Sequence, residues 1–380
     1  MAVKKKKSGK GRGAFFGAVG TFVRLINLLF VGLLLLSYLA AYISPQQWWP
    51  LAFFGLGYPF FLIVNLFFFF FWSFRTRLFA LVSLVAILIG WNVLWAHFQI
   101  NGQKEAVVDP AAIKVMTFNV KQFRGMSNNK LVSRIDEFVT MAGESKADVI
   151  VFQEFFSQNA TFENNLERIR KATGLKHYTY RTYFSVIKPS APKHCMVTFS
   201  RFPIVNSGEV MKGRRRVGLM TDLAIAGKTI RLINVHFRSN YLNEQDLNLV
   251  DYEVIGENSS ESWLEGSKKI YWKLRKAFID RAVHSDLLAA EIERSPYPVI
   301  VAGDFNDTPA SYSTRTVLAG LTDAFTACGS GYGNTYAGKL PPIRIDYLAA
   351  SAEFSVANYD VIDRKMSDHY PVVATFILNE

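Results

Sequence analysis

Residues 299–309 have the sequence VIVAGDFNDTP, and this stretch decides how the whole chain is interpreted. The apolar, β-branched run up to Gly303 predicts a buried strand, and the polar residues behind it leave no room for a helix. The strand would therefore carry Asp304 and Asn306 to one edge of a sheet. A carboxylate and an amide in that place indicate a functional site, because a strand end holds side chains in fixed positions.

Polar residues of the same kind close or open five other predicted strands. Any one of them, taken alone, is more often a cap or turn residue than a catalytic residue. Their recurrence at strand ends predicts that they meet in one site. They are Asn119 in TFNV, Glu154 in FQE, Asn234 and His236 in NVH, Asp346 in RIDY, and Asp368 with His369 in SDHYPV.

The chemistry that these side chains support is metal-dependent hydrolysis at phosphorus. Glu154 offers a carboxylate oxygen and Asn119 an amide oxygen, which suit Mg²⁺, with Mn²⁺ as the alternative metal. The sequence has no Cys/His cluster at zinc spacing. Histidines beside such a metal could hydrogen-bond phosphate oxygens, and an acid next to one of them could fix its tautomer.

The secondary-structure pattern after the first hundred residues predicts an α+β fold. Short β-rich runs alternate with helical patterns near 129–144, 160–172 and 266–294. The runs at 217–226 and 228–237 are joined by AGK, which predicts a hairpin. Strand pairs mixed with a few helices favour two packed sheets flanked by helices over a doubly wound parallel sheet.

Taken in order, the motifs TFNV, FQE, NVH, GDFN, RIDY and SDHYPV resemble the endonuclease/exonuclease/phosphatase superfamily. This group contains DNase I, abasic-site endonucleases, inositol polyphosphate 5-phosphatases and neutral sphingomyelinases. The resemblance covers residues 112–380. It implies a DNase I-like, four-layer α/β/β/α sandwich whose active site lies at one edge of the two sheets.

The resemblance also implies roles for the metal and the attacking water. Glu154 would bind the divalent metal with Asn119 beside it, and Asp368 would assist the metal or its orientation. Asp304 would orient or deprotonate the attacking water, and Asn306 would help to position that water.

Further roles implied by the resemblance concern the phosphate. His369 would contact the phosphate and stabilise developing charge, with Asp346 holding its imidazole. His236 would contact the phosphate from another side. Asn234, which precedes it in NVH, is a further catalytic candidate.

Three apolar stretches before the catalytic region predict transmembrane helices at 22–43, 49–72 and 76–98, since about 20 apolar residues span a bilayer. The first could be mistaken for a signal peptide, but the two that follow favour an integral anchor. A basic N-terminus, 1–21, precedes the spans. A polar segment, 99–111, is predicted to be a linker to the catalytic domain.

Charge is distributed unevenly along the chain. The net charge of +12 splits into +10 for residues 1–104, which hold no Asp or Glu, and +2 for residues 105–380. The basic excess thus lies beside the apolar spans, which weakens the argument for nucleic-acid binding. Lys and Arg flank the spans so that the N-terminus is predicted to be cytoplasmic and the catalytic domain extracytoplasmic, which is periplasmic in a cell with two membranes.

Anchoring favours a phosphodiesterase or phosphatase acting on a phospholipid, a sphingolipid or a phosphorylated lipid carrier, because headgroups are concentrated at the bilayer. A membrane-tethered nuclease and an inactive membrane scaffold are the alternatives. Phe155 and Phe156 follow Glu154 where several family nucleases carry a basic residue, which disfavours DNA. The basic cluster at 212–216 lines a phosphate-rich substrate, lies against anionic headgroups or forms a solvated turn.

Two features are left open by the sequence. Cys195 and Cys328 could pair outside the cytoplasm, or both could be unlinked thiols. The insertion 238–265 is predicted to be a long loop or lid, of the kind that often shapes substrate access.

Overall fold

We analysed a computed structural model of the chain. It describes residues 9–101, 111–127, 130–184, 192–240 and 260–379. The predicted linker 99–111 and the predicted insertion 238–265 therefore lie largely outside the described residues. The described part consists of an N-terminal helix bundle and a two-sheet sandwich.

Six of the described helices precede the sandwich. The first of them contains Ala18–Leu39, 22 residues that are long and apolar enough to cross a membrane. At 1.5 Å per residue this stretch measures about 33 Å, which matches a hydrocarbon core of about 30 Å. The helices are α1 (Gly9–Leu39), α2 (Pro45–Trp48), α3 (Pro50–Leu56), α4 (Tyr58–Ser73), α5 (Arg77–Ile89) and α6 (Trp91–His97).

The two other predicted spans, 49–72 and 76–98, are each broken into two helices. α3 meets α4 at 59° and α5 meets α6 at 67°, each pair joined by a single glycine. Each pair is long and apolar enough to cross a membrane only if it is taken as one bent span. The first span, predicted as 22–43, ends as a helix at Leu39.

Buried polar contacts hold the bundle together. Asn27 on α1 donates its Nδ2 to Ser83 Oγ on α5 at 2.9 Å, and Asn65 on α4 donates to the carbonyl oxygen of Phe30 at 2.9 Å. Gly90 lies directly against the ring of Tyr38, leaving no space for a Cβ atom. Small residues and interhelical hydrogen bonds of this kind are typical of helices that associate in a membrane.

The sandwich is built from sixteen described strands and five described helices. The helices are α7 (Ile135–Ser145), α8 (Asn159–Thr173), α9 (Ser260–Glu293), α10 (Tyr312–Leu318) and α11 (Ala324–Cys328). The strands are β1 (Gln99–Ile100), β2 (Ala112–Asn119), β3 (Arg124–Ser127), β4 (Lys130–Ser133), β5 (Val149–Ser157), β6 (His177–Thr182), β7 (Lys193–Ser200), β8 (Ile204–Lys212), β9 (Arg215–Ile225), β10 (Lys228–His236), β11 (Val299–Asp304), β12 (Thr322–Asp323), β13 (Ser330–Gly331), β14 (Asp346–Ala350), β15 (Phe354–Val361) and β16 (Val372–Leu378).

Two mixed six-stranded sheets form the centre of the sandwich. The strand order is β15-β16-β2-β5-β7-β6 in the first sheet and β12-β14-β11-β10-β9-β8 in the second. β2 runs parallel to β5 and β10 runs parallel to β11, and the other pairs are antiparallel. The register places Asn119 opposite Gln153 and His236 opposite Asp304. Strand ends that carry the predicted site residues are thereby brought to the same edge.

Three apolar clusters define four layers. Residues such as Val115 and Ile300 fill the space between the two sheets. Phe138 on α7 and Phe162 on α8 pack on the outer face of the first sheet, and Leu288 on α9 packs on the outer face of the second. The predicted α+β sandwich with helices on both outer faces is confirmed.

Local sequence patterns located most elements within a few residues. The predicted hairpin 217–226 and 228–237 is present as β9 and β10, joined by Ala226 and Gly227. The helix predicted at 129–144 begins only at Ile135, because β3 and β4 pair as a hairpin just before it. The helix predicted at 266–294 begins earlier, at Ser260.

The helix bundle packs directly on the sandwich. Phe53 of α3 stacks on Tyr271 of α9 with ring centroids 5.6 Å apart and meets Phe278 edge-on at 5.1 Å. Gln46 of α2 donates its Nε2 to Asp286 Oδ2 at 2.9 Å. The packing continues beyond the helices, because β1 pairs with β13 of the sandwich. Residues 99 and 100, predicted to open a linker, therefore belong to the folded structure.

The two cysteines are separate thiols. Cys195 lies buried in the cluster under α7 and α8, and Cys328 lies buried between the sheets. Of the two alternatives that the sequence leaves open, the structure has the unlinked pair.

Candidate active site

All of the predicted site residues except Asn234 meet at one edge of the sandwich. Asn119 closes β2, His236 closes β10 and Asp304 closes β11, while Asp346 opens β14. Glu154 lies near the end of β5, and Asp368 and His369 lie just before β16. Strands from both sheets therefore contribute to a single cluster.

Asp304 is the centre of this cluster. Its side chain is fully buried, and its Oδ2 accepts hydrogen bonds from Asn119 Nδ2 at 2.9 Å and from Asn306 Nδ2 at 2.8 Å. Its Oδ1 accepts the backbone N–H of Asn306 at 2.7 Å. Burial raises the pKa of Asp304 to about 7, an effect that His369 opposes and Asp346 adds to. The carboxyl group therefore changes protonation near neutral pH.

Gly303 allows β11 to bring Asp304 to this place. Its φ is +155°, and a Cβ atom there would lie 2.1 Å from the carbonyl oxygen of Val235 on the neighbouring strand. The glycine in GDFN is therefore required by the close approach of two backbones.

His369 and Asp346 form a fixed ion pair beside Asp304. His369 Nδ1 lies 2.9 Å from Asp346 Oδ2, and its Nε2 faces Asp304 Oδ2 at 3.7 Å. Burial alone would lower the pKa of His369, but the carboxylates of Asp346 and Asp304 outweigh it and raise that pKa to about 10. The imidazole is thus positively charged at neutral pH and presents Nε2 to the site.

Glu154 is held in an unusual backbone conformation. Its φ is +52°, and it lies in a β-bulge between Phe152 and Phe155. Its backbone N–H donates to the hydroxyl of Tyr183 at 2.8 Å. A left-handed conformation in a non-glycine residue costs about 1–3 kcal/mol and is concentrated at functional sites. The bulge directs the carboxylate towards Asn119, whose Nδ2 lies 3.4 Å from Glu154 Oε1.

His236 completes the cluster from the second sheet. Its Nε2 lies 3.6 Å from Glu154 Oε1 and 3.7 Å from Asp304 Oδ2. Burial, with a smaller contribution from Arg215, holds the pKa of His236 well below its usual range. The ring is therefore neutral, unlike that of His369, and packs edge-on against Tyr183.

The donor set fits a divalent metal. Four carboxylates gather at this edge, from Glu154, Asp304, Asp346 and Asp368, and burial together with Asp368 raises the pKa of Glu154. Burial would also raise the pKa of Asp368, but His369 and Lys121 outweigh it, so that pKa is lowered. A cation held by hard oxygen atoms would offset the repulsion among these groups.

The geometry distinguishes the metal position from the proton-handling group. Ligand atoms of Asp304, Asp346 and His369 lie within 4.8 Å of one another and could hold a metal by spacing alone. Asp346, however, is already engaged with His369 Nδ1. The Glu154 carboxylate is held less tightly, with Oε1 3.4 Å from Asn119 Nδ2 and 3.6 Å from His236 Nε2, so it could hold a metal.

The orientation of Asn119 differs from that expected of a metal ligand. Its Oδ1 accepts the backbone N–H of Lys121 at 3.0 Å, while its Nδ2 faces Glu154 and Asp304. In this orientation Asn119 holds the Asp304 carboxylate, and its oxygen atom is turned to the backbone of Lys121.

Asn234 is placed away from the cluster, although the sequence grouped it with the catalytic residues. Its Oδ1 accepts from Gln153 Nε2 at 2.8 Å, and its Nδ2 donates to the carbonyl oxygens of Phe152 and Val197 at 3.1 and 3.0 Å. These partners belong to the first sheet, whereas Asn234 belongs to the second. The side chain is fully buried and ties the two sheets together.

Three residues at the site belong to none of the six sequence motifs. Lys121 Nζ lies 2.8 Å from Asp368 Oδ2, Tyr183 supports Glu154 as described above, and Tyr336 meets the ring of His369 edge-on at 5.7 Å. Lys121 directly follows TFNV, so its position in the sequence could have identified it as a site residue. The two tyrosines lie in loops whose position depends on tertiary structure.

The basic cluster at 212–216 is divided by the structure. Lys212 Nζ pairs with Asp280 at 3.4 Å, and Arg216 pairs with Glu209 and donates to the carbonyl oxygen of Thr182. Arg214 is exposed at the turn between β8 and β9. Lys212 and Arg216 are therefore engaged within the sandwich, and the Arg215 guanidinium lies 5.8 Å from the ring of Tyr183 at the site.

A buried acid beside an imidazolium, with a carboxylate able to hold a metal, defines a class of hydrolases acting on phosphate esters. The sequence model of the Endonuclease/Exonuclease/phosphatase family matches residues 116–369, and the chain belongs to this family. Its members are metal-dependent hydrolases of phosphoester bonds, and this protein is such a hydrolase. Residues 20–97 match the model of a domain of unknown function.

Solved structures resemble the chain at low identity. A family member from Bacteroides thetaiotaomicron is 16% identical, covering 71% of this chain and 98% of its own, with a TM-score of 0.49. The human Nocturnin catalytic domain with bound sulfate is 17% identical. The match covers 71% of this chain and 95% of that one, with a TM-score of 0.48. A B. thetaiotaomicron mannosyl-6-phosphatase is 16% identical. The match covers 70% of this chain and 100% of that one, with a TM-score of 0.46. These similarities concern the fold alone. No curated protein matches the sequence.

The position of Asn234 leads to a first prediction. Asn234→Ala should lower the stability of the protein by roughly 2–4 kcal/mol, because buried hydrogen-bonding groups in the first sheet lose their partner. The rate per folded molecule should change little. Thermal melting and specific activity, measured on the same preparation, check both parts. Asn206→Ala, which removes a half-buried contact with Asp222 at 3.1 Å, is the matched control. Unchanged melting with a hundredfold slower rate would restore the catalytic assignment.

Proposed function

We propose that the protein is a membrane-anchored, Mg²⁺-dependent phosphoesterase that hydrolyses a phosphodiester or phosphomonoester of a lipid or another membrane-associated molecule. The observation that carries the membrane part is the contact of the site edge with the helix bundle. Ala310, four residues after Asn306, is fully buried in one apolar cluster with Leu34, Tyr38 and Tyr58 of the bundle. Four residues span at most about 14 Å, so the site lies close to the bundle.

A second link joins the same edge to the bundle. Arg344, two residues before Asp346, is buried, pairs with Asp323 at 2.8 Å and donates from Nη2 to the carbonyl oxygen of Ala96 at 2.8 Å. Gly55 of α3 also packs so closely that a Cβ atom there would lie 2.9 Å from the carbonyl oxygen of Ala310. A site held this way supports action on molecules that stay in the bilayer.

The same contacts support the proposed topology. The sandwich contacts residues near the C-terminal end of α1, whereas the basic N-terminus lies at the other end of that helix. If α1 crosses the membrane and each bent pair adds one span, the N-terminus is cytoplasmic and the sandwich extracytoplasmic. We keep the division at 22–98 for the anchor and 112–380 for the catalytic domain as part of this proposal.

The reaction follows from the groups at the site. Glu154 would hold the metal with Asp368 close by, and the bound metal would polarise the phosphoryl oxygens. Asp304, fixed by Asn119 and Asn306, would orient the attacking water and accept its proton, a role suited to a group that titrates near pH 7.

The phosphate would be contacted by two histidines of opposite charge state. His369, kept charged by Asp346, would stabilise the negative charge that develops on the phosphoryl oxygens. His236, which is neutral, would hydrogen-bond the phosphate from the other side. Asn306 would help to position the water as well as hold Asp304. Its φ is +52°, a conformation that is concentrated at functional sites when the residue is not glycine.

The roles of Glu154 and Asp304 can be separated by experiment. Asp304→Asn should reduce turnover by about 10²–10⁴ while leaving metal binding measurable. Glu154→Gln should weaken Mn²⁺ binding by more than about tenfold as well as slow turnover. Calorimetric titration with Mn²⁺ and rates before and after chelation by EDTA provide the two readouts. Glu163→Gln on the exposed side of α8 is the control. Wild-type Mn²⁺ affinity in Glu154→Gln would remove that residue from the metal site.

The substrate class is tested with the full-length protein in mixed micelles, with and without Mg²⁺. Glycerophospholipids, sphingomyelin, inositol phosphates and plasmid DNA form the panel, and Asp304→Asn provides the blank. We expect the wild-type protein to release headgroup or phosphate from a lipid, and we expect no release by the variant. Plasmid nicking that weakens steeply with salt, together with no hydrolysis of any lipid, would favour a tethered nuclease. Lack of turnover on every phosphoester, with a co-purifying partner, would favour a scaffold.

A further inference from the structure

One segment of α9 has a composition that neither the catalytic site nor the core explains. Residues 266–279 contain five Lys/Arg and no Asp/Glu. At helical spacing, four lysines and one tryptophan fall on one face, which we call the basic face of α9. Lys268, Lys269 and Lys276 are exposed, and Trp272 is 56% exposed. Lys273 completes the face.

The opposite face of this segment rests on the helix bundle. Tyr271 packs against Trp49 and Phe53 of the bundle with ring centroids 5.3 and 5.6 Å away. The guanidinium of Arg275 lies 5.3 Å from the Trp49 ring and 5.1 Å from the Trp272 ring. The basic face is therefore continuous with the bundle through a layer of aromatic rings.

Exposed aromatic rings lie between α1 and α3 along the chain. Trp48, adjacent to Trp49, is 51% exposed, and Tyr42 is 55% exposed. Both follow α1 within ten residues of its end at Leu39. Tryptophan and tyrosine concentrate at the boundary between lipid and water, and lysines next to them attract anionic headgroups.

We propose that the basic face of α9 binds the anionic lipid headgroups of the same membrane that holds α1. The surface combines positive charge, one exposed indole ring and direct continuity with the bundle, which together match an anionic leaflet. Each lysine near such a surface strengthens the attraction roughly fivefold. This inference rests on the membrane anchoring proposed above and adds a lipid that is bound without being hydrolysed.

The same helix also reaches the catalytic edge. Arg281, a little over two turns after Lys273 at about 3.6 residues per turn, is buried and donates its Nε to Asp307 Oδ2 at 3.0 Å. Asp307 directly follows Asn306. A headgroup layer bound by the basic face would therefore fix the height of the site above the bilayer.

The test uses full-length protein in vesicles of phosphatidylcholine, with or without phosphatidylglycerol. Glu265→Cys, exposed and one helical turn before Lys268 and Lys269 of the basic face, carries a fluorophore, since both natural cysteines are buried. Quenching by a nitroxide on lipid headgroups reports contact. We expect at least twofold stronger quenching with phosphatidylglycerol, and loss of this difference when Lys268, Lys269, Lys273 and Lys276 are all changed to Gln. Their replacement by Arg should preserve it.

A matched variant controls for net charge. Changing Lys146, Lys171, Lys176 and Lys228 to Gln removes the same charge at exposed positions of the sandwich and should leave the quenching difference intact. Equal quenching in both lipids, or equal loss in both variants, would overturn the proposal. So would a fluorescence response to duplex DNA without one to phosphatidylglycerol. Lipid hydrolysis measured on the same vesicles separates this failure from failure of the proposed function.

Discussion

The hydrogen bond from Asn119 Nδ2 to Asp304 Oδ2 joins the two sheets at the edge where the chemistry takes place. Asn119 ends a strand of the first sheet and Asp304 ends a strand of the second, so the bond exists only when the sandwich is assembled. Because Asp304 is fully buried, its carboxylate depends on these donors for its position and charge. Asn234 makes the equivalent connection deeper in the sandwich. The site is thus a product of how the sheets pack, and its geometry is as rigid as that packing.

Sequence alone located most of the site because strand ends have a local signature. An apolar run followed by an acid or amide is visible in GDFN, FQE and TFNV, and parallel strands bring such ends together. The same pattern groups Asn234 with the catalytic candidates, since NVH shows that the residue is polar but not that its side chain hydrogen-bonds to the facing sheet. Tyr183 and Tyr336 could not be predicted as site residues, because aromatic residues in loops carry no sequence signal of their distant contacts. The orientation of the Asn119 amide likewise depends on the backbone N–H of Lys121.

The N-terminal region shows where composition stops being informative. Apolar stretches predicted three spans, and hydropathy could not show that the second and third bend at a glycine. The bends follow from packing: Gly90 lies against Tyr38, and α3 lies on the sandwich beside Ala310. Nor could hydropathy show that Gln99 and Ile100 join a strand pair. The helix bundle and the sandwich are thereby one packed structure, in which the segments after Asn306 and before Asp346 both contact the bundle.

The central claim is that the site acts on molecules held in the bilayer. The most direct measurement is the rate of hydrolysis by full-length protein in vesicles in which the mole fraction of the hydrolysed lipid and the total lipid concentration are varied independently. If the site faces the membrane that anchors it, the rate should follow the mole fraction and stay constant when total lipid is changed at fixed mole fraction. A rate that ignores mole fraction, with equally rapid hydrolysis of a water-soluble phosphate ester, would contradict the account.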